Sequence, residues 1–111
     1  MKAKDLQELI DMVQETFKCD ETVYRKLKHL PKDMWDVEII THSSIHLMKS
    51  AGKLATLAEA YEHGAAYDFD KAKDITLSGL ATVLKNAAML GMSANDLLEG
   101  IPKKIGYNIK E

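Results

Sequence analysis

Leu6, Leu9, Ile10, Val13 and Phe17 recur at the three- and four-residue intervals of a helix, with Glu8, Asp11, Gln14 and Glu15 on the other side. The first twenty residues therefore read as one amphipathic helix. Over residues 19–35 the period weakens: Val23, Leu27 and Leu30 allow a short second helix, which Pro31, followed by Lys32 and Asp33, interrupts. A long helix is expected over residues 36–63, free of proline and stopped by Gly64 in a left-handed turn. Within it Ile40, Ser44, Leu47, Ala51, Leu54, Ala58 and Tyr61 alternate steps of four and three. Such a seam of small and apolar residues lets two helices pack nearly antiparallel.

Residues 65–69 read as a loop, and Asp70 as the cap of a third helix through Leu90. That helix should turn Ile75, Gly79, Leu80, Val83, Leu84, Ala87 and Leu90 inward, and Gly91 should end it. Ser93 with Asp96 suits the start of a short last helix ending at Leu98, with Gly100 and Pro102 as its stop. The tail 103–111 has no strong period. These elements predict an all-α chain: an antiparallel helical bundle of three or four helices with no strand, forming one domain over residues 1–111. Long helices with Ala and Ser on several faces also favour a homo-oligomer, a dimer or tetramer burying a second seam against a symmetry mate.

Composition narrows the function classes. At 111 residues, 46% hydrophobic and 29% charged, the chain is long enough for one modest core and too apolar for disorder throughout. A net charge of −2 lacks the basic excess of a nucleic-acid binder. No run reaches membrane-spanning length, and Glu8 and Asp11 interrupt the first helix where a secretory signal would be apolar, so neither membrane nor export is expected. A single cysteine, Cys19, cannot close an intrachain disulfide, which makes the cytoplasm the expected location. Cys19 itself reads as a small hydrophobe.

The chain has no Gly-rich phosphate loop, paired-cysteine motif, HExxH or nucleophile elbow. The segment from His46 to Ala55, HLMKSAGKLA, is similar to the stretch of MazG-like all-α nucleotide pyrophosphohydrolases that carries their EExxE motif. The later segment from Ser78 to Ser93 resembles that family's second metal helix, which opens with ExxD and ends in a Leu-Gly turn. The resemblance spans residues 37–98 and implies a four-helix bundle fold. It also implies a site, but the EExxE acids fall on Lys49, Ser50 and Lys53, and those of ExxD on Ile75 and Ser78. The family's Mg²⁺ would have no carboxylates to hold it at these positions, so no cofactor is expected.

What the substitutions leave is cationic. Projected at a hundred degrees per residue, His42, His46, Lys49 and Lys53 share one face of the long helix, with Ser50 at its edge, opposite the seam. One reading is an ordinary solvated face. The other is a site for a nucleotide or another phosphorylated ligand, held without hydrolysis by His46, Lys49, Ser50 and Lys53, with Asp74 and Ser78 on the third helix. Asp74 is expected to pair with Lys49 or Lys53 across the bundle. His42 and His46, at i and i+4, make a poor metal site beside two lysines.

A protein partner on the outer faces is the other binding mode. The competing enzyme reading gathers displaced carboxylates from Glu59, Glu62, Asp68, Asp70 and Asp74 around the inter-helix loop, and it alone would call for Mg²⁺. An unrelated helical interaction module is a third reading. Trp35, Tyr67 and Phe69 read as closures for the open ends of the core more than as a stacking platform, and the methionines as core filler.

Overall fold

The computed structural model describes residues 2–17, 22 and 24–108, and among them every regular element is helical. Four α-helices follow one another: α1 (Ala3–Thr16), α2 (Trp35–Glu62), α3 (Phe69–Met89) and α4 (Ala94–Ile105). Two short 3-10 turns, Arg25–His29 and Lys32–Met34, take the place of the expected second helix. Cys19 and Val23 lie outside the described residues. The all-α bundle predicted from the sequence is the fold.

α2 and α3 form an antiparallel hairpin, while α1 lies across α3 and α4. The core sits at that crossing: Ile10 and Val13 of α1, Leu84 of α3 and Ala94 of α4, flanked by Leu6, Ala81, Ala88 and Leu97. Burying a side chain such as Ile10 or Leu84 contributes about 1.5–3 kcal/mol. Leu27 of the first 3-10 turn and Ile39 near the start of α2 are also buried. Trp35 is half-buried there and donates its indole N–H to the Leu30 carbonyl at 3.1 Å.

The helix ends obey local chemistry, with two corrections. Asp68, not Asp70, caps α3, accepting the Lys71 N–H at 3.0 Å, so Phe69 is already helical. The fourth helix does not stop at Gly100 and Pro102 but continues to Ile105. Its start is well held: Ser93 and Asp96 form a reciprocal capping box, and Gln7 of α1 accepts the Ala94 N–H at 2.8 Å. Pro102 removes one exposed helical hydrogen bond but fits the helical φ. The chain leaves the helix only at Gly106, at φ 74°, where the Tyr107 N–H returns to the Pro102 carbonyl. Gly64 closes α2 in the same left-handed way, as expected.

The seams differ more. The residues α2 buries most are Ile39 and Ser43, and Ser50 meets Gly79 of α3, where an added Cβ would lie 3.6 Å from the Ser50 Cβ. The expected seam from Ile40 to Tyr61 lies beside this contact: Ile40, Leu47 and Leu54 are half-buried, while Ser44, Ala51, Ala58 and Tyr61 are exposed. On α3, Ile75, Gly79, Leu84 and Ala87 are buried as expected, but Leu80, Val83 and Leu90 are 51%, 42% and 62% exposed. Met12, Met34, Met48 and Met92 are exposed and do not fill the core.

Replacing Ser93 by Ala removes one arm of the capping box and should lower unfolding stability by about 1 kcal/mol. Urea denaturation followed by circular dichroism measures it; an unchanged midpoint would mean the box contributes nothing.

Candidate functional site

Ser50 of α2 lies against Gly79 of α3, where two small residues meet, and side chains beside this contact rise as walls. On one flank they enclose two adjoining spaces. The inner, of about 400 Å³, is lined by Thr16, Phe17, Tyr24, His42, Ser43, His46, Ala81, Thr82 and Lys85. The outer, of about 590 Å³, is lined by Lys49, Ser50, Lys53, Leu77 and Ser78, and it shares Phe17, His46, Ala81 and Thr82 with the first. Together they form one groove.

Five of the six residues singled out from the sequence, His46, Lys49, Ser50, Lys53 and Ser78, line the outer space together. Asp74 is not among its lining residues, and the expected ion pair to Lys49 or Lys53 is not formed. The ion pair found among the described residues is Lys26 with Glu38, at 3.8 Å. The lysine stripe also does not stand opposite the helix contact, as the projection predicted, but borders it. The difference follows from the helix contact: with Ser50 against Gly79 of α3, the neighbouring His46, Lys49 and Lys53 turn into the groove.

The inner space holds residues that sequence spacing did not single out. Lys85 donates to the Tyr24 hydroxyl and lies over two rings, 4.9 Å from the Tyr24 centroid and 5.8 Å from that of Phe17. Tyr24 and His42 meet edge to face at 5.2 Å. Nothing local ties Tyr24 to Lys85, sixty-one residues away, so the pair could be read only from the fold. Ser43 is 2% exposed, and among the described residues its hydroxyl has no hydrogen-bond partner although it lines the cavity. A buried hydroxyl left unpaired is costly, and a polar ligand group or a water can satisfy it.

His42 and His46 face each other through their Nε2 atoms at 2.9 Å, so one must donate and the other accept. Partial loss of hydration in the groove lowers the His46 pKa first, and the charges of His42, Lys49, Lys85 and Lys53 lower it further. His46 is thus held toward its neutral form. Among the described lining residues of both spaces there are three lysines and no acid. This is a groove of positive potential with aromatic walls at its inner end, suited to an anion attached to a planar or apolar body.

The donor set does not fit Mg²⁺. Lys49, Ser50, Lys53, Ile75 and Ser78 offer two ammonium groups, two hydroxyls and an aliphatic chain, and no carboxylate. Among the described residues no group of three or more His, Cys, Asp or Glu stands where it could share a metal ion, which leaves Glu59, Glu62, Asp68, Asp70 and Asp74 ungathered. Comparison of the chain with family models, curated proteins and solved structures gives no match.

The sign of the pH effect follows from the lowered His46 pKa. Its contribution to stability is complete above the ordinary value of 6.5 and is lost as pH falls through the folded-state value. A proton titration followed by NMR should place the His46 midpoint below 6.5, and Lys49→Glu should raise it. A midpoint at or above 6.5 would show that the groove does not carry the positive field described.

Proposed function

We propose that this chain is a cytoplasmic binding protein of MazG-like fold that holds a phosphorylated small molecule, a nucleotide in the first instance, in the α2–α3 groove without hydrolysing it. The observation that carries the reading is the groove's one-signed charge: Lys49, Lys53 and Lys85 with no acid among its described lining residues. Lysine ammonium groups hold phosphate oxygens as mobile point charges and through charge-assisted hydrogen bonds. In this reading Lys49 and Lys53 take the phosphates, with Ser50, Ser78 and His46 as neutral partners. The Phe17 and Tyr24 rings flank the planar part of the ligand, beside the unpaired Ser43 hydroxyl.

Binding without turnover follows from the same residues. In the MazG-like enzymes carboxylates hold the metal ion that supports attack on phosphorus, and the corresponding positions here are Lys49, Ser50, Lys53, Ile75 and Ser78. Lysines at these positions supply the positive charge that a metal would otherwise bring to the phosphates. They do not supply the base or the activated water. The enzyme with displaced ligands is the weaker reading, because its carboxylates are not gathered among the described residues.

Equilibrium dialysis with ATP in excess EDTA tests the proposal. The wild-type chain should bind, and the double variant Lys49→Glu, Lys53→Glu should weaken binding at least about tenfold, a loss of ~1.4 kcal/mol or more. Lys103→Glu with Lys104→Glu, on α4, should leave it unchanged. Equal binding by the groove variant would remove the groove from the account. Pyrophosphate release on adding Mg²⁺, lost in Glu62→Ala, would establish the enzyme instead.

A further inference from the structure

At the end of the hairpin away from the core, three aromatic side chains stand together. Leu84, the α3 residue of the core, lies fifteen residues along the helix from Phe69, about 22 Å at 1.5 Å per residue. Tyr67 and Phe69 therefore do not close the core, contrary to the expectation from sequence. Tyr61 on the last turn of α2 is 62% exposed and Phe69 at the start of α3 is 70% exposed, with Tyr67 half-buried in the loop between them. Tyr61 and Tyr67 are nearly perpendicular, at 83°, with ring centroids 6.4 Å apart. Phe69 stands at 71° to Tyr67, its centroid 5.1 Å away. The loop that carries them is pinned at both ends. Gly64, at φ 99°, and Ala65 donate their N–H groups to the Tyr61 and Ala60 carbonyls, and Asp68 accepts the Lys71 N–H. The rings are thus ordered before any ligand arrives.

The charge around them is negative. Residues 59–74 carry Glu59, Glu62, Asp68, Asp70 and Asp74 against Lys71 and Lys73. None of these acids is in an ion pair among the described residues. Neither lysine lies over a ring of the trio; the cation–ring contacts among the described residues belong to Lys32 and Lys85, elsewhere in the chain. Ring faces are themselves electronegative and attract a cation placed within about 6 Å of the centroid. A cation seated equally over two perpendicular rings with centroids 6.4 Å apart would lie about 4.5 Å from each centroid, inside that range.

We propose that Tyr61, Tyr67 and Phe69 form an aromatic cage for a trimethylammonium group, with Glu62, Asp68 and Asp70, their neighbours in the chain, as its anionic rim. The chemistry selects the methylated cation over a bare ammonium. An ammonium is strongly hydrated and binds through N–H donors, which ring faces match poorly. A trimethylammonium group has no N–H to satisfy, and its charge lies under methyl groups that pack on ring faces. The rim attracts it through space and needs no hydrogen bond to do so. A free small cation such as choline and a trimethylated lysine side chain carry the same group. The site is separate from the α2–α3 groove and does not depend on what the groove holds.

NMR titration of the full chain with tetramethylammonium chloride, against ammonium chloride at the same ionic strength, tests it. The ring signals of Tyr61, Tyr67 and Phe69 should shift and saturate with a Kd of about 1 mM, and the methyl signal of the probe should move upfield. Ammonium should give no saturable shift. Tyr67→Leu, which keeps apolar bulk in the loop but removes the ring, should weaken binding about tenfold with unchanged helical circular dichroism. If that variant loses helicity, Tyr61→Leu with Phe69→Leu, both exposed in the chain, reads the same cage. Glu62→Gln with Asp70→Asn should weaken binding at low salt and reduce its salt dependence, whereas Glu8→Gln with Glu99→Gln, on α1 and α4, should change neither. Choline and an acetylated trimethyl-lysine amide, titrated in the same way, tell the two sources apart by which binds more tightly. Equal shifts with ammonium, a titration that does not saturate, or ring variants that bind as well as the wild type would each overturn the proposal.

Discussion

The close approach of α2 and α3 is the constraint on which the rest depends. α2 buries Ile39 and Ser43, α3 buries Ile75 and Gly79, and Ser50 lies against Gly79, a contact of two small residues. Beside that contact His46, Lys49 and Lys53 open into the outer space with Ser78, and Lys85 lines the adjoining inner space, which His46 also borders. Ser44, Ala51 and Ala58 of the expected seam are left exposed. The place of the lysine-lined groove is thus a result of one packing choice.

Much of the architecture was legible in the sequence because it rests on local chemistry. The period of α1, the stop at Gly64 and the Ser93–Asp96 box are short-range signals, and each has its counterpart in the structure. Pro102 misled because proline and glycine are strong stop signals, whereas α4 is anchored at its start by the box and Gln7 and needs no help at its end. The heptad seam is not the α2–α3 contact: α2 buries Ile39 and Ser43 and sets Ser50 against Gly79, while Ser44, Ala51, Ala58 and Tyr61 of the seam are exposed, because spacing cannot say which of two stripes a neighbouring helix covers. With two apolar stripes on α2, only tertiary contact distinguishes them.

The site was legible in part for a related reason. His46, Lys49, Ser50 and Lys53 lie within eight residues on one helix, and a fixed offset to Ser78 brings the second wall. Tyr24, Phe17, Ser43 and Lys85 were not legible, because they meet through the crossing of α1 and the 3-10 segment over the hairpin. Ser43 looked like one small residue among many until its burial and its unpaired hydroxyl set it apart. Asp74, chosen for its closeness to a motif position, lines neither space and pairs with neither lysine.

The central claim is that phosphate is held in the α2–α3 groove by lysines without metal. The most direct measurement is amide and side-chain NMR of the chain titrated with ATP in excess EDTA, with ³¹P spectra recorded in parallel. The account predicts shifts centred on His46, Lys49, Lys53, Ser78, Thr82 and Lys85, and a nucleotide that stays intact. Shifts centred elsewhere in the chain, or no shift until a divalent cation is added, would contradict it.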